Sequence, residues 1–278
     1  LLYFIGILPI FFIGFLEDVY KEISVSLRLI FIFISSTIII LISGSVIEDA
    51  DLKFFNAFLQ IPFMPYIFTI VGISVAANAW NLIDGLNGLA SGLSVVILFS
   101  MGSLANLEGL SYLSEISWVV ASATLGFFLI NIFSGRIFLG DAGSLTLGVI
   151  IGWIGVEISI NSINVSVWLI FFIIIYPAIE ITFSFFRRAL SGKPATRADN
   201  LHLHSLLYFY ISAKFNYVNS NTLCGISLLL FGSLPSLCIL IFNLNYIKAI
   251  FGIIIFVIFY FIFYYLLLKS VLVEKKPF

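Results

Sequence analysis

The chain is a succession of apolar runs, most of them about as long as a bilayer is thick. A helix that crosses the hydrocarbon core needs about 20 predominantly apolar residues. Nine runs approach that length: 1–16 (partial), 25–47, 63–81, 88–107, 116–134, 142–160, 165–186, 220–242 and 246–268. This pattern predicts an all-α, polytopic membrane helix bundle of about nine transmembrane helices. Composition agrees, since only 10% of the residues are charged and 62% are hydrophobic, against about 25% charged in an ordinary soluble domain. The stretch from Leu52 to Phe63 is too short to span and is broken by Pro62 and Pro65, so it reads as an interfacial segment or a loop. The chain opens on Leu1, already inside an apolar run and without a secretory leader pattern. The first element therefore reads as cut, in an N-terminally truncated single membrane domain over 1–278.

Placing alternate loops on opposite sides separates the basic residues. Lys21, Arg28, Arg136, Arg187, Arg188, Lys193, Arg197, Lys214, Lys269, Lys275 and Lys276 fall on one side, and only Lys53 and Lys248 on the other. The rich side is expected to be cytoplasmic. A net charge of −1 leaves no basic face for a nucleic acid. Cys224 and Cys238 lie in an apolar run without metal spacing and read as core residues.

The polar clusters all fall on the basic-rich side. Glu17 and Asp18, with Lys21 three residues on, form a carboxylate pair of the kind that holds Mg²⁺ against a substrate phosphate; a polar helix end reaching water is the alternative. In Asn78–Gly92, NAWNLIDGLNGLASG, the residues Asn78, Asn81 and Asp84 recur every three positions along one helical face, and Asn87 continues the spacing. Such a stripe suits a metal, sugar hydroxyls or a base, or else hydrogen bonds between helices. Gly140-Asp141-Ala142-Gly143-Ser144 reads as a turn that offers free N–H groups to an anion at the start of a helix, or in which Asp141 caps that helix. His202 and His204 are the two histidines of the chain. They sit in a loop of about 30 residues, 187–216, with Lys193 and Arg197, and suit phosphate contact or acid–base work near neutral pH. Glu180 lies inside an apolar run, and Pro177 is placed to kink it. Acidic groups for a metal, a phosphate turn and a basic histidine loop are the parts phosphoryl transfer needs. A transporter is the non-enzymatic alternative, which would place its polar residues near the bilayer midplane.

Four ordered blocks, GFLEDVYK, NAWNLIDGLNGLASG, NIFSGRIFLGDAGS and NLHLH, resemble the polyprenyl-phosphate N-acetylhexosamine-1-phosphate transferases, the superfamily that includes the MraY and WecA enzymes. The resemblance runs from Gly14 to about Tyr208. It implies a Mg²⁺-dependent transferase (Mn²⁺ as the substitute) in the bacterial cytoplasmic membrane, with its site facing the cytoplasm and a homodimer as one candidate assembly. Its substrates would be undecaprenyl phosphate and a UDP-N-acetylhexosamine, the GlcNAc form favoured. UMP would leave, and a lipid-linked diphosphosugar for cell-surface glycan synthesis would remain. An MraY-type transfer of phospho-MurNAc-pentapeptide is the alternative. By this resemblance Glu17 and Asp18 fall on the acidic pair and Lys21 on the basic residue after it. Asp18 would orient or deprotonate the lipid phosphate, while Asp141 and Asp84 would hold the metal. Phe138 falls beside the uracil pocket, Asn131 on the same segment, and His202 and His204 on the motif tied to the nucleotide diphosphate. Three departures stand out: Glu-Asp where most of the family has Asp-Asp, Asn87 where many relatives carry an aspartate, and HLH in place of three histidines. Nine spans against ten or eleven imply that about two N-terminal helices are absent.

Overall fold

The computed structural model describes residues 2–192, 201–215, 220–242 and 245–273. Among them twelve helices follow one another without a strand: α1 Leu2–Tyr20, α2 Val25–Ser43, α3 Lys53–Leu59, α4 Met64–Ile83, α5 Leu89–Leu107, α6 Ser111–Ser134, α7 Gly140–Asn161, α8 Val167–Ile173, α9 Ile175–Leu190, α10 Leu203–Phe215, α11 Ser220–Ile241 and α12 Tyr246–Val273. Eight of these are each long and apolar enough to cross a membrane, and α8 with α9 makes a ninth, bent span. The polytopic helix bundle expected from the apolar runs is therefore the architecture, and the chain is a multi-pass membrane protein.

Two segments depart from the sequence expectation. Run 165–186 is not one straight helix, because α8 and α9 meet at 81°. Pro177 accounts for the break: it lacks an N–H, and its ring crowds the carbonyl four residues earlier, that of Ile173. That freed carbonyl accepts a 3.4 Å hydrogen bond from the Ser236 hydroxyl of α11. Proline breaks in lipid persist when a neighbouring helix supplies such a replacement. The second departure is the 30-residue loop. Its first residues extend α9 to Leu190, and 203–215 form α10. Leu203, Leu206, Leu207 and Ile211 are buried there, at the spacing of one helical face. Apolar 52–63 contains the short helix α3, held by Asn56, which donates to Asp49 and accepts from the Ala50 amide.

The loops sort into two ends. At one, Ser45 and Trp153 donate to Glu157, Ser162 and Asn164 donate to Glu108, and Ser166 donates to Asp51. Trp168 of α8 donates to the Ala50 carbonyl at the same end. Arg187 of α9 instead reaches the Leu201 carbonyl beside the histidines. The bent pair thus runs from one end of the bundle to the other.

Close backbone packing sets α1 and α4 against α7. A β-carbon on Gly148 would lie 2.5 Å from Ala77 Cα and 2.8 Å from the Ala76 carbonyl oxygen. Rigid backbone cannot yield as a flexible side chain can, so helices that meet this closely need a small residue at the contact. Gly148→Val is expected to cost about 1–3 kcal/mol, the usual price of overpacking, seen as a lower apparent melting temperature in detergent. Gly72→Ala, where nothing lies within 4 Å, should leave that temperature unchanged or slightly raised.

Candidate functional site

At the end opposite Glu157 the predicted clusters meet around the start of α7. Gly140 opens that helix with φ of +67°, and its missing side chain leaves room for the carboxylate of Asp18 from the end of α1. Both Asp18 oxygens accept α7 amides, from Asp141 at 2.8 Å and Ala142 at 3.0 Å. A helix N-terminus attracts an anion, and here the anion is the chain's own. The first amides of the GDAGS turn are therefore not free for a ligand: Asp141 and Ala142 donate to Asp18, and Gly143 donates to the Leu139 carbonyl. Glu17 turns back to accept the Ile23 amide at 2.8 Å, and Lys21 is exposed with φ of +56°.

Asp141 does not cap its own helix. One of its oxygens pairs with the Arg28 guanidinium of α2, and the other accepts from Asn81 Nδ2 at 2.7 Å. Asn81 also approaches the Ser144 hydroxyl at 3.1 Å. Arg28 entered the sequence reading only as a charge that sets orientation. Its signal was a guanidinium one turn inside an apolar run, where charge marks a working group.

Asp84 follows the last residue of α4 and completes the acidic set. Burial raises its carboxyl, and the negative charges of Asp141 and Asp18 raise it further, to about 7, although a hydrogen bond from the Gly140 backbone opposes them. Three carboxyl groups thus share a small volume in which Arg28 is the basic partner of Asp141. Among the described residues no three His, Cys, Asp or Glu side chains close into a metal cage. Mg²⁺ does not require one: it is commonly held by one or two carboxylates, with substrate phosphates and water completing the shell. The oxygen donors of Asp141 and Asp84, in a locally negative field, fit such an ion.

The remaining predicted residues divide. Asn78 donates to the Ser74 carbonyl of its own helix. The Asn87 amide N–H donates to Asn221 Oδ1 at 2.6 Å, and its side chain approaches Thr222 on α11, so it leaves the stripe of Asn81 and Asp84. Buried Asn131 accepts from the Gly88 amide and donates to the Ile137 carbonyl, both at 2.6 Å. These bonds tie the α4–α5 turn to the α6–α7 turn. Phe138 is 77% exposed, a ring free to stack. Arg197 and Lys193 lie outside the described residues.

His204, in the first turn of α10, and His202, just before that helix, join the acidic set. Their rings stack with centroids 5.2 Å apart and planes 2° from parallel. His204 Nε2 lies against Gly85, where a β-carbon would approach it to 2.8 Å, so the histidine pair adjoins the turn that carries Asp84. Burial lowers the His204 imidazole to about 4, and His202 adds to that, while Glu180 opposes them. On the far side, His202 Nδ1 is 3.0 Å from the Ser184 hydroxyl and 3.6 Å from Glu180.

The sequence profile described as glycosyl transferase family 4 matches residues 1–159, more than half of the chain and every acidic residue of this site. The chain belongs to glycosyl transferase family 4. Three relatives of the family member are instructive. A Bacillus subtilis protein described as a probable undecaprenyl-phosphate N-acetylglucosaminyl 1-phosphate transferase is 32% identical over 206 residues, covering 73% of this chain and 56% of its own length. A Listeria monocytogenes phospho-N-acetylmuramoyl-pentapeptide-transferase is 30% identical, covering 70% and 58%. The Escherichia coli K12 undecaprenyl-phosphate alpha-N-acetylglucosaminyl 1-phosphate transferase is 29% identical, covering 70% and 54%. The chain thus spans little more than half the length of the relatives it matches.

The lowered imidazole makes a pH prediction. His204 is neutral in the folded protein down to about pH 4, whereas an unfolded histidine takes up a proton near 6.5. At His204 the unfolded state then binds more protons, so this residue's contribution to stability falls as pH drops from about 6.5 to 4. Asp84, raised to about 7, acts in the opposite sense over the same window. The His204 loss is therefore read as the difference between thermal melts of the native protein and of His204→Phe, which should shrink steadily toward pH 4.

Proposed function

We propose that this chain transfers an N-acetylhexosamine-1-phosphate, GlcNAc-1-phosphate in the first instance, from its UDP carrier to undecaprenyl phosphate, with release of UMP. The observation that carries the reading is the convergence of Asp18, Asp84 and Asp141 with Arg28 and the histidine pair at one end of a membrane bundle. The Bacillus and Escherichia relatives, whose names specify this reaction, support it. The similar identity of the Listeria relative keeps the pentapeptide-bearing donor as the second reading. The basic-rich loops at the site end support a site that faces the cytoplasm, and the bacterial relatives support an inner-membrane location.

A phosphate oxygen of the lipid attacks the phosphorus next to the sugar, and the bond from that phosphorus to the UMP oxygen breaks. Asp141 and Asp84 would hold Mg²⁺, which supplies charge neutralisation on the diphosphate. Asn81 orients Asp141 for that task, and Arg28 keeps a positive charge beside it. Asp18 holds the first turn of α7 in place and from there faces the incoming lipid phosphate, orienting it. The histidines line the Gly85 side, where neutral His204 offers a ring nitrogen without adding charge. Exposed Phe138 is available to the uracil ring. Transfer in one step needs no covalent sugar-phosphate on the protein.

Membranes carrying the chain, given undecaprenyl phosphate and UDP-GlcNAc, should release UMP. EDTA should stop the release and Mg²⁺ restore it. Asp141→Ala should lower turnover by about 100-fold or more, as loss of a group that stabilises transition-state charge does, while the protein still inserts. Undiminished turnover would remove Asp141 from the metal site, and UMP released only with UDP-MurNAc-pentapeptide would establish the second reading.

A further inference from the structure

Glu180 is fully buried in α9, and no part of the proposed chemistry uses it. A carboxylate in such a place is strongly unfavourable unless it is partnered. Its surroundings come from three helices. Tyr176 lies one turn earlier on α9, and Ser184 and Arg187 lie one and two turns later on the same face. Buried Tyr260 on α12 faces the carboxylate, with Tyr264 beside it. From just before α10 comes His202, with Nδ1 at 3.6 Å, and from its first turn His204, stacked upon it.

The row Glu180, Ser184 and Arg187 acts as a rail for the histidine segment. Arg187 donates to the Leu201 carbonyl and to the Tyr264 hydroxyl, and Ser184 meets His202 Nδ1 at 3.0 Å. A serine hydroxyl can donate or accept, so Ser184 alone leaves the imidazole free to take either tautomer. An ionised carboxylate only accepts. At 3.6 Å from the same nitrogen, beyond hydrogen-bond reach, the Glu180 carboxyl can bias that choice only through its charge.

We propose that Glu180 is a positioning residue: its carboxylate keeps a proton on Nδ1 of His202, so that Nε2, on the opposite edge of the ring, is the lone-pair atom that takes up a proton and, once protonated, donates to the donor phosphates. The last clause rests on the transferase reading, whereas the tautomer does not. A histidine's second nitrogen is set by what faces the first one, and Glu180 reaches the ring from α9, past the 81° junction of that helix with α8. With Glu180 replaced by an apolar side chain, the Ser184 hydroxyl is free to turn round and donate to Nδ1, and the proton moves to Nε2.

The chain has two histidines, which makes the test direct. The full chain is prepared in lipid nanodiscs with ¹⁵N-labelled histidine, and the ring nitrogens are assigned with His204→Asn. In the native protein at pH 8, Nδ1 of His202 should give the signal of a protonated ring nitrogen. In Glu180→Leu it should give that of a bare one. A bare Nδ1 in the native protein, or the same signal in both, overturns the proposal. Should Glu180→Leu fail to assemble, Glu180→Gln takes its place. Its amide can donate as well as accept, so the Nδ1 signal should move toward the bare form, and an unmoved signal overturns the proposal. In the UMP assay both variants should lower kcat roughly 10- to 100-fold, the usual effect of losing an orienting partner, with little change in donor KM. The spectrum needs no substrate, so a failed transferase reading and a failed role for Glu180 give different results.

Discussion

The site end of the bundle depends on one carboxylate meeting two backbone amides. Asp18, at the end of α1, occupies the first amides of α7, and everything else there is placed relative to that contact. It fixes where Asp141 starts its turn, hence where Arg28 and Asn81 must reach to meet it. It also supplies one of the charges that raise Asp84. Helix N-termini carry a partial positive charge, so the contact neutralises part of a dense negative field without a mobile ion. Glycine at 140 is required on two counts, a positive φ and the lack of space for a β-carbon beside Asp18.

Much of this was legible in the sequence because the membrane constrains it so strongly. Apolar runs of bilayer length mark the spans, and polar residues that interrupt them mark the candidate site, since lipid tolerates few such residues without a task. What the runs concealed was geometry within an apolar stretch. The break between Ile173 and Ile175 has a visible cause in Pro177, but the hydroxyl that satisfies the freed carbonyl, that of Ser236, lies 63 residues away. Helix α10 is hard to see in the sequence because charge and two histidines mask the spacing of Leu203, Leu206, Leu207 and Ile211.

The partners of the polar residues were less legible than their presence. Asn78, Asn81 and Asn87 share a spacing, yet each does something different. Asn78 stays within α4, Asn81 holds Asp141, and Asn87, beyond the end of α4 at Ile83, turns to α11. Asp18 was picked out as a group for the lipid phosphate, whereas its first visible work is to anchor a helix. Long-range pairs such as Arg28 with Asp141 are set by tertiary packing, and spacing along the chain carries no trace of them.

The contact between α11 and the turn after Asp84 reaches further than its chemistry. A β-carbon on Gly225 would stand 2.2 Å from the Asn87 carbonyl oxygen, so any larger residue there displaces the turn that carries Asp84. Asn221, which accepts from the Asn87 amide, is bound to the same turn. In evolutionary terms, selection on activity would then be felt at positions 221 and 225, on a helix that offers no group to the reaction. Drift along α11 would be confined to the faces turned toward lipid.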